Sequence, residues 1–183
     1  MDASGPLAVR FDGVTKRYGD FVAVDDVGFE VPRGSIFGIL GSNGAGKTTS
    51  IRMLMNILKA DAGRIEVLGE AAGEDVKARI GDLPEERGLS KKLRIDELLR
   101  FFGRMKGRTP AFLDERIGHW LERMGLAGWR RSRVEELSKG MAQKLQFVVT
   151  VVHAPELLVL DEPFAGLDPV NRDVLRDAIL EMR

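Results

Sequence analysis

Gly41-Ser42-Asn43-Gly44-Ala45-Gly46-Lys47-Thr48-Thr49 is the stretch best equipped for chemistry. It meets the phosphate-cradling pattern G-x-x-x-x-G-K-[ST] at every required position. Glycines let the backbone bend where a Cβ would clash, so successive N–H groups converge on phosphate oxygens. A helix starting at the loop adds its positive end. Lys47 supplies a point charge for the β- and γ-phosphates of a nucleotide, and the Thr48 hydroxyl is a hard oxygen suited to Mg²⁺.

A second candidate lies far along the chain. Leu157-Leu158-Val159-Leu160 runs into Asp161-Glu162-Pro163, four aliphatics and then acids. This reads as a buried parallel strand with a carboxylate at its C-terminal end, where ligands sit in open α/β sheets. Asp161 suits Mg²⁺, directly or through water, and Glu162 suits polarising an attacking water. Taken alone, the same residues also describe an ordinary acidic strand-to-turn junction. A third candidate is Leu137-Ser138-Lys139-Gly140-Met141. Ser138 is either a plain helix N-cap or, with the Gly140 amide, part of an anion site. Tyr18, the one tyrosine, either stacks on a base or is a surface aromatic at a strand end.

These residues need an α/β scaffold. The apolar run 36–40 predicts a buried parallel strand feeding the loop, and Ile51, Leu54, Met55 and Leu58 predict one apolar helix stripe after it. Residues 7–14 and 21–31 read as strands around a turn at 17–20. Residues 64–68 and 80–83 read as strands, with a short helix at 74–78. From Ile95 the period becomes helical. Leu98, Leu99, Phe102 and Met105 mark one stripe, and Phe112, Ile117, Trp120, Leu121 and Met124 another. Met141, Leu145, Val148, Val149 and Val152 mark a third, and Val174, Leu175, Ile179 and Met182 a last. Arg130-Arg131-Ser132-Arg133 reads as a solvated basic cluster, with an anion-binding patch as the weaker reading.

Composition adds bounds. The chain has 183 residues, enough for one core plus a small subdomain. Lys+Arg and Asp+Glu number 28 each, so net charge points to neither nucleic acid nor a membrane surface. There is no cysteine, hence no disulfide framework and no thiolate metal site. No signal peptide is expected from residues 1–9, and no apolar run is long enough to span a bilayer.

In combination and order, these motifs resemble the nucleotide-binding domain of ATP-binding cassette (ABC) transporters across nearly the whole chain. Residues 41–48 resemble the Walker A loop, 157–161 Walker B, 165–168 the D-loop and 137–141 the signature sequence, usually LSGGQ. Glu162 stands at the position of the catalytic carboxylate, and Tyr18 at that of the adenine-stacking aromatic. The resemblance implies a P-loop NTPase with a mostly parallel core sheet, flanking helices, an N-terminal antiparallel β subdomain and an inserted α-helical subdomain. It places the ATP-binding core at residues 1–89 and 137–183 and the helical insert at 90–136. It implies ATP and Mg²⁺ as cofactors, ATP held by residues 41–49, and Mg²⁺ held by Thr48 and Asp161. Ser138 and Gly140 of a second cassette would close over the γ-phosphate. The implied partners are a membrane permease and that second cassette, with no nucleic acid. The implied location is the cytoplasmic face of the membrane.

Two departures stand out. Lys139 and Met141 replace the usual Gly and Gln of the signature, and Glu85 stands where the family's Q-loop glutamine is expected. A carboxylate there can still bind water or Mg²⁺, so Glu85 joins the catalytic and metal candidates. The wording around Leu83-Pro84-Glu85-Glu86-Arg87-Gly88-Leu89 is similar to the sodium and drug exporter branch. The family's switch histidine has no counterpart, since His119 and His153 both precede Asp161. A chain cut short at its C-terminus, and weakly active as given, is therefore expected. The competing class is a soluble cassette ATPase acting on ribosomes or DNA. It calls for tandem cassettes or a long heptad insert.

Overall fold

Alternating apolar residues and a Gly19-Asp20 turn build the first feature, a long antiparallel hairpin. The computed structural model of the chain describes residues 6–83 and 88–183. It divides into two compact units, one up to Lys77 with Arg183, and one from Ala78 to Met182.

In the first unit, β1 (Leu7–Tyr18) pairs with β2 (Phe21–Pro32), the last pair being Tyr18 with Phe21. On its other edge β1 pairs with β3 (Ala62–Val67), which pairs with β4 (Glu70–Ala71), giving the antiparallel order β2-β1-β3-β4. β1 runs past its expected end at residue 14, because ladder bonds use the backbone and tolerate polar side chains. Asp61 anchors that extension, accepting from Lys16 Nζ (2.9 Å) and the Arg17 amide (2.7 Å). Those bonds hold its carboxyl below the usual range. Phe11 stacks on Phe29 at 4.5 Å between centroids. Helix α1 (Lys47–Leu54) comes after the glycine-rich loop and buries Met53, Leu54 and Met55. It ends at Met55, where Asn56 turns left-handed (φ 50°), so Leu58 lies beyond the helix expected to include it. The short α2 (Glu74–Lys77) falls where expected.

The run 36–40 corrects the sequence reading. It forms no strand, and Ile36, Phe37, Ile39 and Leu40 are exposed. A buried parallel strand needs ladder partners, and among the described residues no strand of this unit pairs with the run. Phe37 instead stacks on Phe29, 5.1 Å between centroids.

In the second unit β5 (Ile80–Leu83) and β6 (Leu157–Leu160) pair in parallel, Ile80 opposite Leu157 and Leu83 opposite Leu160. Helices α3 (Ile95–Met105), α4 (Pro110–Arg123), α5 (Lys139–Val151) and α6 (Pro169–Glu181) share one apolar core. Leu98, Leu99, Leu113, Ile117, Leu121, Leu145, Val148 and Leu175 are essentially inaccessible. Met105 is not part of it: at 67% exposure it faces solvent, although the apolar spacing predicts it on the buried stripe. α5 packs closely on β5. A Cβ on Gly81 would lie 2.6 Å from the Thr150 carbonyl oxygen, and the Thr150 hydroxyl donates to the Asp82 carbonyl at 3.1 Å. Arg130 is no free anion site, because its Nε donates to Asp96 (2.6 Å), which also accepts from Arg100. Burial raises the Asp96 carboxyl, and the two guanidiniums outweigh that and hold it low.

His153 is buried in this unit, as a structural reading required. Its Nε2 lies 3.2 Å from the Ile80 carbonyl, and Arg108 donates to the His153 carbonyl at 2.6 Å. Burial, with the Lys106 cation nearby, lowers its pKa from 6.5 to about 4. The unfolded chain therefore binds the extra proton first on acidification. Stability is intact above pH 6.5 and drains away as pH falls to 4, by roughly 3 kcal/mol from this group. Urea denaturation from about pH 7 to pH 4 should show that loss, and His153→Gln should flatten it. Parallel profiles for both proteins would refute the assignment.

Candidate functional site

Two clusters carry the predicted chemistry. The glycine-rich loop and Tyr18 belong to the first unit, and Ser138, Gly140, Asp161 and Glu162 to the second.

In the loop, Gly44 (φ 82°) and Gly46 (φ 84°) take left-handed backbone, and Gly46 is the residue preceding α1. Gly46 has a second reason to be glycine, since a Cβ there would lie 2.4 Å from the Ala23 carbonyl oxygen of β2. The Ala45 amide donates to the Ser42 carbonyl (3.2 Å), closing the turn through Asn43 and Gly44. The first helical bond runs from Ser50 N to Gly46 O at 2.8 Å. The amides of Lys47, Thr48 and Thr49 precede it and have no carbonyl one turn back to meet. The N-cap residue, Gly46, has no side chain to cap this end, and no acid lies in the helix's first turn. The helix start thus keeps its donors and positive potential open to an anion. Lys47 Nζ bends back to the Gly41 (2.8 Å) and Ser42 (2.9 Å) carbonyls. Its ammonium spans the loop from end to end. Gly41 to Ala45 and Thr48 are exposed.

The hairpin brings Tyr18 to the same neighbourhood. Ala23 and Val24 of β2 pack on Gly46, and Tyr18 pairs with Phe21 at that end of the hairpin. Its ring is half exposed, with Lys16 Nζ 5.8 Å from the ring centroid. A groove of about 600 Å³ runs between β2 and the loop, lined by Phe21, Val24, Phe29, Phe37, Gly44 and Lys47 among others.

In the second unit, the Asp161 amide donates to the Leu83 carbonyl at 2.9 Å, so the parallel ladder reaches the acid. Glu162 is exposed to solvent at the end of that ladder and has φ 47°, left-handed for a side chain with a Cβ. Its carbonyl accepts from the Ala165 amide at 3.0 Å. Ser138 caps α5, its hydroxyl accepting from Met141 N at 3.3 Å. Beside that helix start lies the 162–171 segment. A Cβ on Gly140 would sit 3.2 Å from Asn171 Nδ2, and one on Gly166 3.5 Å from Lys139 Cε. Asp168 caps α6, accepting from the Asn171 amide (3.0 Å) and its Nδ2 (2.5 Å). These bonds hold the Asp168 carboxyl below its usual value. Gln143 of α5 donates through Nε2 to the Ala165 (2.6 Å) and Pro163 (3.3 Å) carbonyls. Sequence reasoning missed Gln143, since a glutamine inside a helix carries no local signal. Sequence reasoning also missed Asn171, whose side-chain contact with Asp168 emerges only in the structure. Glu85 lies outside the described residues.

Hard oxygen donors suit Mg²⁺, and among the described residues no three acids or histidines cluster into a ready-made metal cage. The Thr48 hydroxyl in the first unit and the Asp161 carboxylate in the second are each a hard oxygen donor, the kind that Mg²⁺ takes alongside phosphate and water.

Comparison with known proteins places this geometry. The model of the family described as ABC transporter matches residues 24–165. The chain is 44% identical over 175 residues to the ABC transporter ATP-binding protein YhaQ of Bacillus subtilis, covering 96% of this chain and 59% of YhaQ. It is 40% identical to the daunorubicin resistance ATP-binding protein DrrA3 of Streptomyces coeruleorubidus, covering 94% of this chain and 55% of DrrA3. The chain thus spans somewhat over half the length of these relatives. A solved ATP binding subunit of an ABC transporter superposes with TM-score 0.87 at 29% identity, covering 96% of this chain and 74% of that one. With its antiparallel sheet, parallel pair and flanking helices matching such cassettes, this chain belongs to the ABC transporter family.

Proposed function

We propose that the chain is the ATP-binding and hydrolysing part of an ABC transporter subunit that powers a separate membrane permease. The observation that carries this reading is the uncapped, acid-free helix start at Lys47, with the Lys47 ammonium drawn across residues 41–42. Residues 41–49 wrap the phosphates with backbone amides, and Lys47 exchanges its two carbonyl partners for phosphate oxygens. Bound Mg²⁺·ATP supplies a transferable phosphoryl group with part of its charge neutralised. Thr48 and Asp161 are the metal ligands in this reading. Tyr18 stacks on adenine. Glu162 accepts the proton of the attacking water, and Glu85 is a further water or metal ligand. Ser138 and Gly140 present their helix start to the γ-phosphate of a second cassette. Residues 90–136 form the helical subdomain within a core of 1–89 and 137–183.

Export is the direction supported by the role named for DrrA3, daunorubicin resistance. The relatives' names favour transport over action on ribosomes or DNA. No helix among the described residues is long and apolar enough to cross a membrane. In this reading the chain sits on the cytoplasmic face, held by the permease near residue 85 and the helical insert.

Lys47→Ala should abolish detectable binding in titrations with a fluorescent ATP analogue, because the phosphates lose their charge partner. Unchanged titration would refute nucleotide binding at this loop. In the full-length protein, Glu162→Gln should slow ATP turnover by about 10²–10⁴ while leaving ATP affinity intact. A near-normal rate would remove Glu162 from the base role.

A further inference from the structure

We infer that Gln143 is a positioning residue for Glu162, clamping the turn that carries the carboxylate from the adjacent helix. The inference rests on the reading of Glu162 as the base.

Glu162 occupies left-handed backbone at φ 47°. For a residue with a Cβ this backbone is strained, and it persists only where the surroundings impose it. One restraint is internal, the Ala165 amide on the Glu162 carbonyl. The other comes from α5. A primary amide carries two N–H donors on one nitrogen. Gln143 spends both on the turn, at 2.6 Å to the Ala165 carbonyl and 3.3 Å to the Pro163 carbonyl. Those carbonyls belong to the residue after Glu162 and to the residue that closes its turn. With both carbonyls held, the turn that follows Glu162 is restrained from outside, and with it the backbone from which the carboxylate projects.

The contact is not needed to seat α5. Leu145, Phe147, Val148 and Val151 of that helix are fully buried in the core. Gln143 sits half-buried above that core and reaches toward the turn. It lies about one helical turn beyond Ser138 and Gly140. Two hydrogen bonds therefore tie that helix to the turn that carries Glu162.

The test uses the full-length protein with its permease and four variants: Gln143→Met, Gln143→Lys, Glu162→Gln and the double Gln143→Met/Glu162→Gln. Met keeps the length and removes the donors, whereas Lys keeps donors at similar reach. Gln143→Met should lower kcat for ATP about 10-fold with KM within about twofold, the signature of a misplaced reacting group. Gln143→Lys should recover most of that rate. On the Glu162→Gln background, Gln143→Met should have no further effect, because the group it positions is already gone. An unchanged kcat in Gln143→Met would overturn the clamp. So would a full additional loss in the double variant, or a rise in KM together with a fall in the thermal midpoint. Near-normal turnover in Glu162→Gln alone would instead remove the base reading, a failure separate from that of the clamp.

Discussion

The carbonyl of Ala23 occupies the place where any side chain at residue 46 would begin. Together with φ 84°, that contact restricts the position to glycine and seats the loop on the β2 strand. The start of α1 one residue later depends on it, with the leading amides turned to open space. A helix start of this kind is normally closed by a polar side chain or softened by an acid. Neither is present here, so the unsatisfied donors and the positive end of the helix are left for an anion. Lys47 reinforces the same field.

The second unit solves a different problem, that of holding a solvent-facing carboxylate at the end of a short sheet. β6 is four residues long and pairs with β5. The ladder is extended by the Asp161 amide, then broken at Glu162 by a left-handed residue. The turn beyond Glu162 is fastened to α5: Gln143 takes two carbonyls, Gly140 leaves room for Asn171, and Asp168 caps α6. Glycine at 140 matters here for lack of bulk, since a Cβ would crowd Asn171, whereas glycine at 166 matters for its left-handed backbone (φ 71°).

Charge is distributed to suit this division. Asp96, Arg100, Arg130 and Asp114 neutralise one another within the helical part, so the basic residues there serve internal order. Arg108 and Arg116 meet the last carbonyls of α5 and those just beyond it, at His153, Ala154 and Val151, where the negative end of the helix favours cations. His153, neutral beside them, belongs to that packing.

Where local chemistry decides structure, the amino-acid order was sufficient. The phosphate-loop pattern, the Ser138 cap, the aliphatic run of β6 and the helical stripes all depend on neighbours a few residues away. Each appears near its expected place. Readings that needed distant partners were less secure. The run 36–40 has the composition of a buried strand but no ladder partner among the described residues of its unit, and Met105 continues a stripe that the core does not reach. Composition measures the tendency to be buried, whereas burial also requires a surface to lie against. The sequence by itself therefore determined the family and the place of the glycine-rich loop. The tertiary structure decided why Gly46 admits no side chain, what restrains Glu162, and that Arg130 is already paired. Each of these depends on residues far apart along the chain, and spacing in sequence carries no information about such contacts.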